Sequence, residues 1–190
     1  MPADRLRALM RPGRKGALAV VIVIALAILG AGCGNDIGKE AEEGVPIQLG
    51  ELNVNVQETR FLNPAQPDDK EYLQGQPLPP PPSKTYLGIF LTMHNQGDST
   101  IRVPTAGQLS VVDTTGAAYP AVPSSTAFAA PLGAPLAGGG DIPVPDTAAA
   151  NGPTGGALVL FLMNEAVTEN RPLKLEISYA GETGEITLDI

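Results

Sequence analysis

Apolar residues recur at every second position in several short stretches of this chain. Leu52, Val54 and Val56 alternate with Asn53, Asn55 and Gln57, the period-2 pattern of a half-buried strand. Residues 85–95 place Leu87, Ile89, Leu91 and Met93 on one face. Tyr86, Phe90, Thr92 and His94 fall on the other, with Gly88 between them. Apolar groups on both faces predict a central strand. Asn95-Gln96-Gly97-Asp98 breaks it with turn chemistry. Ile101 and Val103 restart a short strand stopped by Pro104, and residues 108–113 form another. Thr114-Thr115-Gly116 then turns the chain into residues 117–119, which predicts a hairpin. Residues 157–163 follow Gly155-Gly156 as a strongly apolar strand. Leu173, Leu175, Ile177 and Tyr179 alternate, residues 180–184 form a hairpin turn, and Ile186, Leu188 and Ile190 alternate again. The chain is thus expected to end inside an edge strand, open to pairing with another chain.

The stretches between these strands are of a different kind. Residues 63–84 read as irregular. They contain Asp68-Asp69-Lys70-Glu71 and then Pro77-Leu78-Pro79-Pro80-Pro81-Pro82. The prolines must be extended and cannot join a central strand. They form either a stiff spacer or a docking segment for a proline-recognising partner. Residues 120–156 are rich in Pro, Ala and Gly, with a mobile loop expected around Gly138-Gly139-Gly140. With 22 glycines and 19 prolines in 190 residues, no convincing helix is predicted. Seven or eight short strands with turns between them predict an all-β fold. Its expected form is an antiparallel two-sheet β-sandwich over residues 47–190. Residues 33–46 are polar and acidic and read as a flexible tether.

The start of the chain follows another rule. Arg5, Arg7, Arg11, Arg14 and Lys15 precede an apolar run, residues 17–29, and the small residues Gly30-Ala31-Gly32 lead into Cys33. Charge, apolar core and small residues form an export signal. Cys33 is the only cysteine, so no intramolecular disulfide is possible. Its position makes residues 1–33 resemble a bacterial lipoprotein signal, although the usual leucine stands one place further back, at Leu29. The resemblance implies a signal peptide of residues 1–32 cleaved after Gly32, and lipid such as palmitate on Cys33. Two or more acyl chains would anchor the protein stably. The alternatives are an uncleaved transmembrane helix, since residues 16–34 carry no charge, and a cleaved, soluble product. All three place the rest of the chain on the extracellular side of the cell membrane.

Charge narrows the partners. Five of the twelve basic residues and one of the twenty acidic ones lie in residues 1–32, leaving seven and nineteen. A surface this acidic disfavours nucleic acid. There is no tryptophan and aromatics make up 4%, which takes weight from carbohydrate binding.

Residues 85–119 are similar to the telokin-like, immunoglobulin-like domain of exported Gram-positive proteins, a group that includes a mycobacterial immunoprotective extracellular protein. The resemblance rests on the alternating strand of residues 86–94 followed by Asn95-Gln96-Gly97. It continues with residues 109–113, which end in Asp113, and with Gly116 and Tyr119; Gly156 to Phe161 also fits. It extends over most of residues 47–190, from which the proline-rich and Ala/Gly/Pro segments depart. It implies an immunoglobulin-like fold and an extracellular location, and no catalytic residues.

Chemistry has few candidates. His94 is the only histidine, and no nucleophile-elbow motif accompanies it. Met93, His94 and Met163 are ligand types used by copper carriers. Neighbouring strand residues point to opposite faces, so Met93 and His94 cannot easily share an ion. Asp68-Asp69-Lys70-Glu71 lacks the spacing of a calcium loop. No catalytic, cofactor or metal residue is assigned, and Cys33 is the single site, for lipid. The expectation is a non-enzymatic cell-surface lipoprotein, held in the membrane by lipid on Cys33. It would act as a binding or accessory module through a protein partner. The alternatives are an envelope carrier of a small ligand or copper, and a hydrolase. Loops 63–84 and 120–156 are the expected contact surfaces.

Overall fold

The computed structural model describes residues 38–190. The segment expected to be a signal peptide, residues 1–32, and the expected lipid site, Cys33, lie outside them. The described chain is mainly β, with twelve strands and two short α-helices. In chain order the strands are β1 (Glu40–Glu42), β2 (Ile47–Leu49), β3 (Leu52–Leu62), β4 (Lys84–Asn95), β5 (Ile101–Arg102) and β6 (Leu109–Val112). They continue with β7 (Ala118–Val122), β8 (Pro135–Leu136), β9 (Asp141–Ile142), β10 (Ala157–Asn164), β11 (Lys174–Tyr179) and β12 (Glu182–Thr187). The helices are α1 (Pro67–Tyr72) and α2 (Ala148–Asn151).

Ten strands make one mixed sheet in the order β1-β12-β11-β6-β7-β10-β4-β3-β2, with β9 also paired to β4. β5 and β8 form a separate ribbon. The sheet folds back on itself at β7. Residues 118–120 of that strand pair with β6, while Ala121 and Val122 pair with β10. One strand therefore serves both halves, and the halves face each other across a shared core. At the far ends β12 returns beside β2, so the sheet nearly closes into a barrel. A Cβ at Gly184 of β12 would lie 2.5 Å from the Ile47 Cδ1 of β2. Glycine lets those layers approach, and a larger side chain would overpack the seam.

Both faces of β4 are buried, as its pattern predicts. Leu87, Ile89, Leu91 and Met93 enter the core between the halves, together with Val54, Val111, Phe161, Leu175 and Ile186. Tyr86 and Phe90 point the other way, into a second apolar cluster with Leu62, Tyr72, Leu73, Leu158 and Leu160. That outer cluster needs a cover, and α1 and the chain around Phe128 supply it.

The structure corrects several sequence expectations. Twelve strands replace the expected seven or eight, because two- and three-residue strands carry too little pattern to be seen. The sheet is mixed, since β1 pairs with β12 in parallel. Residues 40–42, expected in a flexible tether, belong to that pair, and the Gly38 carbonyl already accepts from Gln48 N at 3.2 Å. β1 also covers β12, so the expected open terminal edge is occupied. β12 stops at Thr187, and the last three residues are not in a strand.

The loop expected to be mobile at Gly138-Gly139-Gly140 is tied down. Gly139 N donates to the carbonyls of Asn95 (3.0 Å) and Gly97 (3.1 Å), and Asn95 N donates to the Gly140 carbonyl at 3.0 Å. The approach is close enough that a Cβ on Gly138 would lie 2.4 Å from the Asp98 carbonyl oxygen. Backbone contact of this kind requires glycine.

The predicted hairpin between β6 and β7 is present, and Asp113 builds its turn. Oδ1 accepts from Thr115 Oγ1 (2.6 Å), Thr115 N (2.9 Å) and Ala117 N (3.1 Å). Chiefly through the Thr115 hydroxyl, these bonds hold the Asp113 carboxyl below its ordinary pKa, against a smaller opposing effect of desolvation. Glu182 is lowered likewise, first by Lys39 and then by the Gly50 N–H. A carboxylate whose folded pKa is depressed stabilises the fold above its unfolded pKa. That stability is lost as pH falls through the folded value. The urea midpoint should therefore drop on acidification through the carboxylate range, and Asp113→Asn should flatten the dependence. Parallel midpoint-versus-pH curves for the two proteins would refute the role given to Asp113.

Candidate functional site

The outer face of the β10-β4-β3 layer is where sequence and structure concentrate unusual groups. Strand alternation puts Leu158, Leu160 and Leu162 of β10, Tyr86, Phe90, Thr92 and His94 of β4, and Arg60 and Leu62 of β3 on this face. Its apolar half is covered and its polar half is open.

The cover is pinned by one aromatic residue and one ion pair. Tyr72 ends α1 fully buried. Its ring meets Phe90 edge-on at 5.0 Å and Phe128 at 4.7 Å, and its hydroxyl oxygen accepts from Thr154 N at 3.2 Å. Asp69, also on α1, accepts from Arg60 Nη1 on Oδ1, and from Asn63 N at 2.8 Å on Oδ2. The Arg60 guanidinium lies 5.5 Å from the ring centres of both Tyr72 and Phe90. The Asp69 side chain is 5% exposed and that of Arg60 30%. A buried carboxylate needs such partners, and the cation gains from both ring faces. Asp69 thus ties α1 to β3, with both of its carboxylate oxygens engaged. Sequence reading placed Asp69 in an irregular acidic stretch. Pro67 at the first helical turn, followed by Asp68 and Asp69, was the signal available for the helix.

Two concavities flank this cover. The first has a volume of about 360 Å³ and lies between the 122–132 segment and β10, lined by Val122, Ser124, Ala129, Leu132, Leu158 and Leu160 among others. It falls in the size range of small-ligand sites. The Ser124 Oγ is buried and has no hydrogen-bond partner among the described residues. The second is an open groove of about 440 Å³, walled by Pro79, Pro80, Pro81 and Pro82 and floored by Phe61 and Leu62. Lys84 and Glu165 stand at its rim. Proline carries no N–H, so this wall offers carbonyl acceptors and no amide donors.

The two segments expected as free contact loops are therefore largely packing elements. Residues 63–84 contribute α1 and the proline wall, and residues 120–156 contribute Phe128, β8, β9 and α2.

The metal and catalytic candidates do not converge. Met93 and Met163 are buried in the inter-layer core. His94 lies on the opposite, outer face, where its Nδ1 is 2.8 Å from Asp141 Oδ1 on β9. That pair is exposed, and no serine or threonine hydroxyl is bonded to the ring among the described residues. Among the described residues, no group of three or more His, Cys, Asp or Glu could hold a metal ion.

No protein-family model matches the chain, and no curated protein matches it. Solved structures similar to it include three bacterial ones. One is an uncharacterized β-sandwich protein from Clostridium difficile 630, with 13% identity over 79% of this chain and 93% of that one, TM-score 0.48. Another is the yjhA protein from Bacillus subtilis, with 15% identity over 78% and 99%, TM-score 0.48. A functionally unknown protein from Listeria monocytogenes EGD-e has 10% identity over 78% and 84%, TM-score 0.45.

Proposed function

We propose that this chain is an exported lipoprotein, held at the outer face of the cell membrane by lipid on Cys33. Its domain, read as immunoglobulin-like and telokin-like, works there as a non-enzymatic binding or accessory module. The observation that carries the reading is the placement of the only cysteine. Cys33 directly follows a basic, apolar and small-residue segment. Protein contact is favoured by the groove along Pro79 to Pro82, whose proline wall carries no amide donor, with an exposed Leu78 beside it. A partner with N–H or cationic donors complements both that groove and the acidic surface.

The test is intact mass spectrometry of the membrane-extracted protein and of a Cys33→Ala variant. The expected parent mass starts at Cys33 and includes acyl chains, and the variant is unacylated and either released or unprocessed. A parent mass starting at Met1 sinks the reading. A second reading, a carrier of a small ligand, has one observation in its favour: the cavity of about 360 Å³ beside Ser124. In that case the purified protein should carry a small molecule whose mass appears under native spray and vanishes on unfolding.

A further inference from the structure

We infer that the domain is held end-on at the membrane, with the turns at Gly50–Glu51, residues 95–99 and Ala180–Gly181 facing the lipid headgroups. The proline groove then points away from them. The inference rests on the proposal that Cys33 carries the lipid.

The chain is fastened to the domain from Gly38 onward. The Gly38 carbonyl accepts from Gln48 N, the Lys39 carbonyl accepts from Glu185 N at 2.7 Å, and the Lys39 ammonium pairs with Glu182 at 2.7 Å. Residues 34–37 alone separate Cys33 from this point. Five residue steps, fully extended, span at most roughly 17 Å. The point of entry is therefore kept close to the headgroups.

The entry point also selects one end of the domain. β1 runs parallel to β12 with Glu40 opposite Glu185, which puts Gly38 near the start of β12. Gly50 N donates to Glu182 Oε2, which ties the β2–β3 turn to the same end. Leu52 pairs with Asn95, so the 95–99 turn is there too. The opposite end is fixed by the same ladders. Lys84 pairs with Asn164, and Asn164 Nδ2 donates to the Tyr119 hydroxyl beside the 113–117 turn. β4 has 12 residues between the two ends, a length of about 40 Å. The proline groove ends at Lys84 and Thr85 and is at the far end.

Because acylation occupies Cys33, a cysteine introduced elsewhere would be the only free thiol. Asp98→Cys marks the near end and Thr114→Cys the far end, and both positions are exposed. Each acylated variant is labelled with a fluorophore and placed in vesicles of phosphatidylcholine and phosphatidylglycerol that carry a headgroup-linked acceptor. Energy transfer should be strong from position 98 and several-fold weaker from position 114. Insertion of twenty Gly/Ser residues before Gly38 should abolish the contrast. Equal transfer from the two sites, stronger transfer from position 114, or a contrast that survives the insertion would each overturn end-on placement. The mass of the same samples reports acylation separately, so a missing lipid refutes the anchor and is not confused with a wrong orientation.

Discussion

Replacing Asn95 with alanine should cost about 3 kcal/mol of stability, because a single buried amide closes its own turn and ties that turn to residues 136–137. Asn95 is fully buried. Its Nδ2 donates to the carbonyls of Ser99 (2.8 Å), Ala137 (2.9 Å) and Leu136 (3.1 Å), and its Oδ1 accepts from Gly97 N at 3.0 Å. Alanine removes every one of these bonds and leaves their backbone partners in a site that water enters poorly. Each stranded group costs roughly 1–3 kcal/mol, less where it can turn to solvent. The urea midpoint should fall with an unchanged slope. Asn95→Asp separates the amide from the shape of the side chain. It keeps the acceptor for Gly97 but aims a carboxylate at three carbonyl oxygens. Its defect should be at least as large at neutral pH and should ease on acidification, when the protonated acid can donate. A loss under about 1 kcal/mol in Asn95→Ala would mean that the loop is held by its backbone bonds alone.

Tyr72→Ala should be comparably severe, at about 3–5 kcal/mol, the usual range for removing a buried aromatic ring. The loss combines the volume of the ring with two edge-on aromatic contacts, each worth roughly 0.5–1.5 kcal/mol beyond burial. It also removes the aromatic surface beneath Arg60. Tyr72→Phe keeps the ring and strands only Thr154 N, so about 1 kcal/mol is expected. The Ala variant should also become sensitive to protease between residues 63 and 84, because α1 loses its main hold on the sheet. If Tyr72→Ala unfolds within about 1 kcal/mol of the parent and resists cleavage, α1 is not the keystone of the cover.

The residues that could be read from sequence are those whose partners are dictated by period. β4 was legible because alternate positions on both faces are apolar, and β11 because Leu175 and Ile177 alternate with polar neighbours. The β6–β7 turn was legible from Thr114-Thr115-Gly116. β1 was not, since Glu-Ala-Glu has no apolar face and its partner lies far along the chain. α1 was missed because six residues span under two turns and bury only Asp69 and Tyr72. β8 and β9 have two residues each and owe their places to neighbours. Asn95 was visible as a turn former, but two of its three carbonyl partners, Leu136 and Ala137, lie on a distant segment and leave no local trace. The same holds for the candidate site. His94, Met93 and Met163 could be assigned to faces from alternation, whereas the Arg60–Asp69 pair and the Ser124 cavity depend on how loops fold over the sheet.

The β1–β12 pair sets an order of events during synthesis. Lys39 and Glu182 are 143 residues apart in sequence and in contact in space. Nearly the whole domain must leave the ribosome before β1 finds its partner. Contacts this distant also make folding slow relative to local hairpins. A nascent chain that stops short of Glu182 therefore presents β11 paired to β6 on one side only, and β1 without its strand partner. Until then the edge of β11 that β12 will cover stays unpaired.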